Sequence, residues 1–139
     1  MTRLLFDLNV VLDVLLDRRP HATVAAALWA EVERGAAEGL IPAHGVTTIY
    51  YLAARAHRRP FAQRAVADLL SVFRVAPLDE AVLRRALALA WPDFEDAVCA
   101  VAAAAARCSA LVTRDPDGFR DAPIPILSPA AALALLRER

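Results

Sequence analysis

Short apolar runs alternate along this chain with stretches whose apolar residues recur every three or four positions, and that alternation narrows the choice of fold most. The runs Arg3 to Phe6, Leu40 to Ala43, Phe73 to Leu78, Ala110 to Thr113 and Ile124 to Leu127 have strand length. Between them lie helical patterns: Val10 to Leu16, a segment from Pro20 to Ala37 with Val24, Leu28 and Val32 at four-residue steps, and a helix with Thr47 as its cap carrying Ile49, Tyr50, Leu52 and Ala53. A further helix reaches Leu70, Asp79 caps one through Leu89, Asp93 opens one to Arg107, and Ser128-Pro129 opens the last. Strands alternating with helices predict an α/β fold, a mostly parallel central sheet of about five strands flanked by helices with right-handed crossovers.

The 139 residues, 58% of them hydrophobic, suit one domain spanning 1–139. A chain of this size buries roughly two-thirds of its unfolded surface and needs no disulfide or structural metal. Cys99 and Cys108, without CxxC spacing, read as small buried hydrophobes in a reducing compartment. The formal net charge is +0, so nonspecific coating of nucleic acid is excluded and any such contact must be local. All 16 basic residues are arginine, which excludes Schiff-base, Walker-type and receiver-domain lysine chemistry. Asp7 interrupts the first apolar run before a signal-peptide core forms, and the alanine-rich stretch 97–106 is too short to span a bilayer. A cytoplasmic location away from membranes is the expectation.

In an open parallel sheet, ligands bind beyond the carboxyl ends of the strands. Asp7 follows the first strand, Asp115 follows the strand 110–113, and Asp93-Phe94-Glu95-Asp96 opens the helix leading into that strand. Carboxylates gathered on one edge repel one another unless a cation compensates. Hard oxygen donors without Cys or spaced His select Mg²⁺ or Mn²⁺, and such an ion can activate water against a phosphodiester. Each acid also has a structural reading: Asp93 as a helix cap with Asp96 in its first turn, Asp115 and Asp117 as turn residues around Pro116 and Gly118. His21, His44 and His57 show no metal-binding spacing and read as cap, turn or surface residues.

Taken together, 5–13 (Leu-Phe-Asp-Leu-Asn-Val-Val-Leu-Asp), 93–98 (Asp-Phe-Glu-Asp-Ala-Val) and 111–119 (Leu-Val-Thr-Arg-Asp-Pro-Asp-Gly-Phe) resemble the PIN-domain family of metal-dependent ribonucleases, which includes the VapC-type toxins of toxin/antitoxin modules. The resemblance covers nearly the whole chain. It implies that Asp7, Asp96 and Asp115 are catalytic and hold Mg²⁺ or Mn²⁺, with Asp93 and Asp117 as further ligand candidates. Asn9 and Thr113 match residues that line the family site. The place of a fourth acid, normally Glu, holds Thr48 in Gly45-Val46-Thr47-Thr48-Ile49. A hydroxyl brings no charge, which weakens metal binding.

The resemblance further implies an endoribonuclease whose partners are an antitoxin protein and a second copy of the chain, with Tyr50, Tyr51 and Leu69 as candidate dimer-surface residues. RNA would be drawn to the acidic site by rim arginines, for which Arg18, Arg19, Arg55, Arg58, Arg59, Arg64 and Arg114 are candidates. Thr48 keeps open the alternative of a PIN-fold module that binds or regulates RNA without turnover. A haloacid-dehalogenase phosphatase is disfavoured because Asp7-Leu8-Asn9 lacks its second carboxylate.

Overall fold

The computed structural model describes residues 1–138. Its elements run β1 (Arg3–Phe6), α1 (Leu8–Leu15), α2 (Ala22–Glu33), β2 (Glu38–Pro42), α3 (Ala43–Ala56), α4 (Arg59–Val72), β3 (Arg74–Ala76), α5 (Glu80–Ala88), α6 (Phe94–Ala105), β4 (Ala110–Val112), a 3-10 turn (Pro116–Phe119), β5 (Ile126–Leu127) and α7 (Pro129–Arg137). All five strands are parallel, in the order β3-β2-β1-β4-β5. The sequence grows outward from β1 in one direction and then crosses back to place β4 on its other side. The crevice between the carboxyl ends of β1 and β4 is therefore a topological switch point.

Helices cover both faces of the sheet, and the alternating side chains of β1 divide between two cores. Leu4 and Phe6 join α1, α2 and α7 on one face; Leu5 packs on the other with Ala97, Val101 and Ala103 of α6 and with Leu111. The alanine-rich character of α6 has a packing reason. Small side chains bring this helix close to the sheet, and Ala97 through Ala103 are all buried.

Several boundaries differ from those read in the sequence, each for a tertiary reason. α3 begins at Ala43, so Thr47 is not its cap; Pro42 holds that place, and the Thr47 hydroxyl instead donates to the His44 carbonyl at 2.9 Å. This first turn sits against Pro42, Ile41 and Leu8 around Gly45, where an added Cβ would meet their atoms at an ordinary contact distance of 3.4–3.9 Å. That packing extends the helix backward past a residue of poor helix propensity. The edge strands β3 and β5 are shorter than their apolar runs because only Arg74–Ala76 and Ile126–Leu127 find a pairing partner. Leu69, expected on a dimer surface, is fully buried in the core, whereas Tyr51 and Leu70 on α3 and α4 are exposed. The α4 stripe facing the sheet is Ala62, Ala65 and Leu69, which claims Leu69 for the interior.

Gly39 in β2 lies directly beneath Phe73, whose ring packs edge-on against Phe6 and Trp29. A Cβ at position 39 would come within 2.7 Å of that ring and 2.9 Å of Val32. Because the ring is fixed from two sides, Gly39→Ala is expected to lower stability by about 1–3 kcal/mol in equilibrium urea unfolding.

Candidate functional site

Asp7 ends β1 and caps α1 through its backbone, its amide donating to the Val112 carbonyl at 2.9 Å. Its carboxylate is buried and receives the Thr113 hydroxyl at 2.9 Å. Thr113, wholly buried just beyond β4, also accepts the Asp115 amide on the same hydroxyl at 3.1 Å. One hydroxyl thus ties the end of β1 to the turn after β4, across the switch point. Burial raises the Asp7 carboxyl above its ordinary value, opposed by the Thr113 hydroxyl and the Asn9 and Leu8 amides, while Glu95 adds repulsion.

The third acid arrives on α6. Asp93 accepts the Asp96 amide at 3.1 Å, a helix cap that places Asp96 in the first turn at the carboxyl edge of the sheet. The Asp96 carboxyl is pushed up to about 6, first by desolvation and then by the negative charges of Asp93, Asp7, Asp115 and Glu95. Asp7 and Asp115 are therefore close enough to Asp96 to oppose its ionisation. Gly118 in the 3-10 turn closes over this group, and a Cβ there would stand 2.8 Å from Asp96 Oδ2. A cleft beside Asp96 is lined by Trp91, Asp93, Asp117, Gly118 and Arg120, which puts Asp93 and Asp117 at its border.

Among the described residues, no three His, Cys, Asp or Glu side chains are drawn together closely enough to hold a metal ion between them. The donor chemistry nevertheless fits a hard divalent cation. The acids repel one another without a cation, and Mg²⁺ is ordinarily held by one or two carboxylates with water completing its sphere.

The remaining candidates fall into distinct places. Asn9 is exposed in the first turn of α1 and meets Arg18, whose NH2 lies 3.2 Å from its carbonyl and 3.4 Å from its side-chain oxygen. Thr48 lies in the second turn of α3, half-buried, with its hydroxyl 3.4 Å from the His44 carbonyl. Arg18 and Arg114 both turn to Asp13, and Arg19 pairs with Asp17 at 3.1 Å. Arg55 stacks over Tyr51 at 5.6 Å, and Arg58 and Arg64 border a surface cleft with His57 and Phe61. Residue 55 is about 18 Å along α3 from its start at the sheet edge, so these last arginines stand well away from the acids.

Two residues near the site are visible only in three dimensions. His44, in the first turn of α3, brings Nε2 to 3.9 Å from the Cys99 sulfur, while its buried Nδ1 has no hydrogen-bond partner. The Cys99 thiol is raised well above its ordinary pKa, mainly by burial and then by Asp7, Glu95, Asp96 and Asp93, which keeps it an inert thiol under the acids. The other is Asp13, a mid-helix residue whose helical spacing reads as ordinary in the sequence; the ion-pairing signal lies 101 positions away at Arg114.

In a parallel α/β sheet the carboxylates at the switch point stand where such folds bind their ligands. The PIN-domain family model matches residues 3–117, and the chain belongs to that family, whose members are nucleases. No curated protein is significantly similar in sequence. Among solved structures, VapBC2 from Rickettsia felis bound to a DNA fragment from its promoter superposes with a TM-score of 0.72 at 12% identity, covering 91% of this chain and 98% of that one. VapBC-1 from nontypeable Haemophilus influenzae gives 0.71 at 14% identity over 94% and 99% of the two chains. A toxin-antitoxin complex from Klebsiella pneumoniae gives 0.67 at 22% identity over 90% and 96%. At these identities the likeness is one of fold.

The charge cluster predicts how pH acts on the metal-free protein. Folded Asp96 titrates near 6 against an ordinary 3.8, so the native state holds the extra proton and stability falls as pH rises from about 4 to about 6. Asp7, raised in the same direction, adds to the fall. In EDTA the melting temperature is expected to drop across that window, and Asp96→Asn to flatten the drop.

Proposed function

We propose that the chain is a divalent-metal-dependent endoribonuclease, the toxin of a toxin/antitoxin pair, acting in the cytoplasm. The observation that carries the reading is the placement of Asp7 and Asp115 beside Asp96, whose ionisation their charges oppose, at the β1–β4 switch point in a PIN-domain fold. The toxin assignment is supported by the three fold relatives above, whose structures are VapBC proteins or a toxin-antitoxin complex. On this reading an antitoxin binds the chain and two copies associate, with exposed Tyr51 and Leu70 offering apolar area on α3 and α4. No helix among the described residues is long and apolar enough to cross a membrane.

Asp7, Asp96 and Asp115 would hold Mg²⁺ or Mn²⁺. The bound cation supplies positive charge that acidifies a water and offsets charge on the phosphoryl oxygens. Thr113 keeps one Asp7 oxygen engaged and so fixes the carboxylate in place. Asp93, by capping α6, holds Asp96 in place. Gly118 leaves the Asp96 oxygen uncrowded by a methyl group. Exposed Arg55, Arg58, Arg59 and Arg64 give the RNA backbone a cationic track at a distance from the acids.

Purified protein is expected to cut RNA with Mg²⁺ or Mn²⁺ and not in EDTA, and Asp7→Asn and Asp96→Asn each to abolish cutting while the protein stays folded by circular dichroism. Cleavage of single-stranded DNA in place of RNA, or cleavage that survives either substitution, would overturn the assignment.

The rival reading, a PIN module that binds without turnover, is favoured by one observation: the Thr48 hydroxyl is turned to a helix carbonyl and brings no charge. Thr48→Glu is expected to tighten Mn²⁺ binding in calorimetry and to raise cleavage at limiting metal. Unchanged affinity in the folded variant would show that position 48 does not reach the cation.

A further inference from the structure

Among the described residues the most deeply buried carboxylate is Asp13 of α1, whose side chain is 1% exposed. It meets two arginines. Arg114 approaches as a fork, Nε at 2.8 Å from Oδ2 and NH2 at 3.4 Å from Oδ1. Arg18 brings Nε to 3.0 Å from Oδ1 but without the alignment of a hydrogen bond, and its other nitrogen goes to Asn9. Arg114 is thus the directed partner, and Arg18 a neighbouring charge.

Arg114 sits between Thr113 and Asp115. Thr113 is held by Asp7, and the Asp115 amide is held by Thr113. The carboxylates at the cap and in the middle of α1 therefore grip successive residues of one tripeptide. A hydroxyl hydrogen bond alone leaves the chain free to pivot about it, whereas a planar guanidinium fork fixes direction as well as distance. From this geometry we infer that Asp13 is a positioning residue, which acts through Arg114 to set the place of the Asp115 carboxylate against Asp7 and Asp96. The inference rests on the metal-centre reading given above. It also assigns Arg114 to holding the loop and not to gripping RNA.

The test compares wild type with Asp13→Asn, Arg114→Gln, the double variant and Val32→Ala, a core change in α2 that serves as a control for lost stability. Mn²⁺ affinity is read by calorimetry, and exchange of the amides of residues 113–119 in metal-free protein by hydrogen-deuterium exchange. Loss of the fork is expected to weaken Mn²⁺ binding about 10-fold, the effect of losing an outer-shell partner of a ligand. The double variant should be no worse than either single one, since both break the same contact. Exchange at 113–119 should quicken in all three and stay unchanged in Val32→Ala. If Asp13→Asn does not fold, Arg114→Gln decides the matter, because its half-exposed side chain leaves a carboxylate that Arg18 still faces. Unchanged Mn²⁺ affinity with a raised KM for RNA in Arg114→Gln would overturn the inference in favour of a substrate contact. An equal loss of affinity in Val32→Ala would overturn it in favour of general stability. Should wild type bind no Mn²⁺, the metal-centre reading fails by itself and the exchange measurement judges the clamp: quickening confined to 113–119 upholds it, and no change overturns it.

Discussion

The hydrogen bond from the Thr113 hydroxyl to Asp7 is the contact on which the working end of this molecule depends. A carboxylate at the end of a buried strand is costly to remove from water unless its oxygens find donors. Here the donor is a hydroxyl from the neighbouring strand's end, with the opening amides of α1 close enough to favour the charge. The same hydroxyl then accepts the Asp115 amide. Satisfying one buried charge thus binds β1, α1 and the turn after β4 into a single unit, and the strand order β3-β2-β1-β4-β5 makes that unit the floor of the switch-point crevice.

The site is an electrostatic load that the rest of the fold tolerates. Asp96 sits where its own desolvation and four other acids oppose ionisation, and the relief available within the chain is small: the start of α6 offers a positive helix end and little else. Arginines lie close by, yet Arg18 and Arg114 are directed at Asp13 and not at the acidic group, while Arg120 borders the cleft beside Asp96. A net charge of +0 hides this separation of charge into an acidic edge and basic surfaces elsewhere.

The family resemblance and the fold class were legible early because both rest on local pattern. Strand-length apolar runs alternating with helical periods announce a parallel sheet, and Asp7, Asp115 and the Asp93–Asp96 pair mark strand ends and a helix start that any such sheet brings to one edge. The cap at Asp93 was equally local, being a side chain bonding an amide three residues on. What was misjudged was set by contacts distant in sequence. The start of α3 lies back at Ala43, where its first turn packs on β2 and α1, and Leu69 went inside because the buried stripe of α4 includes it.

Residue types and their order therefore determined the class of fold, the chemistry of hard oxygen donors, and which acids stand at a sheet edge. Only the tertiary structure decided how these acids are held. The Thr113 bridge and the Asp13–Arg114 fork join residues more than a hundred positions apart. No local period carries that information. It arises when β4 is laid beside β1 and the loop that follows it is brought over the first helix, so that partners with no pattern in common become neighbours in a space from which water has been excluded.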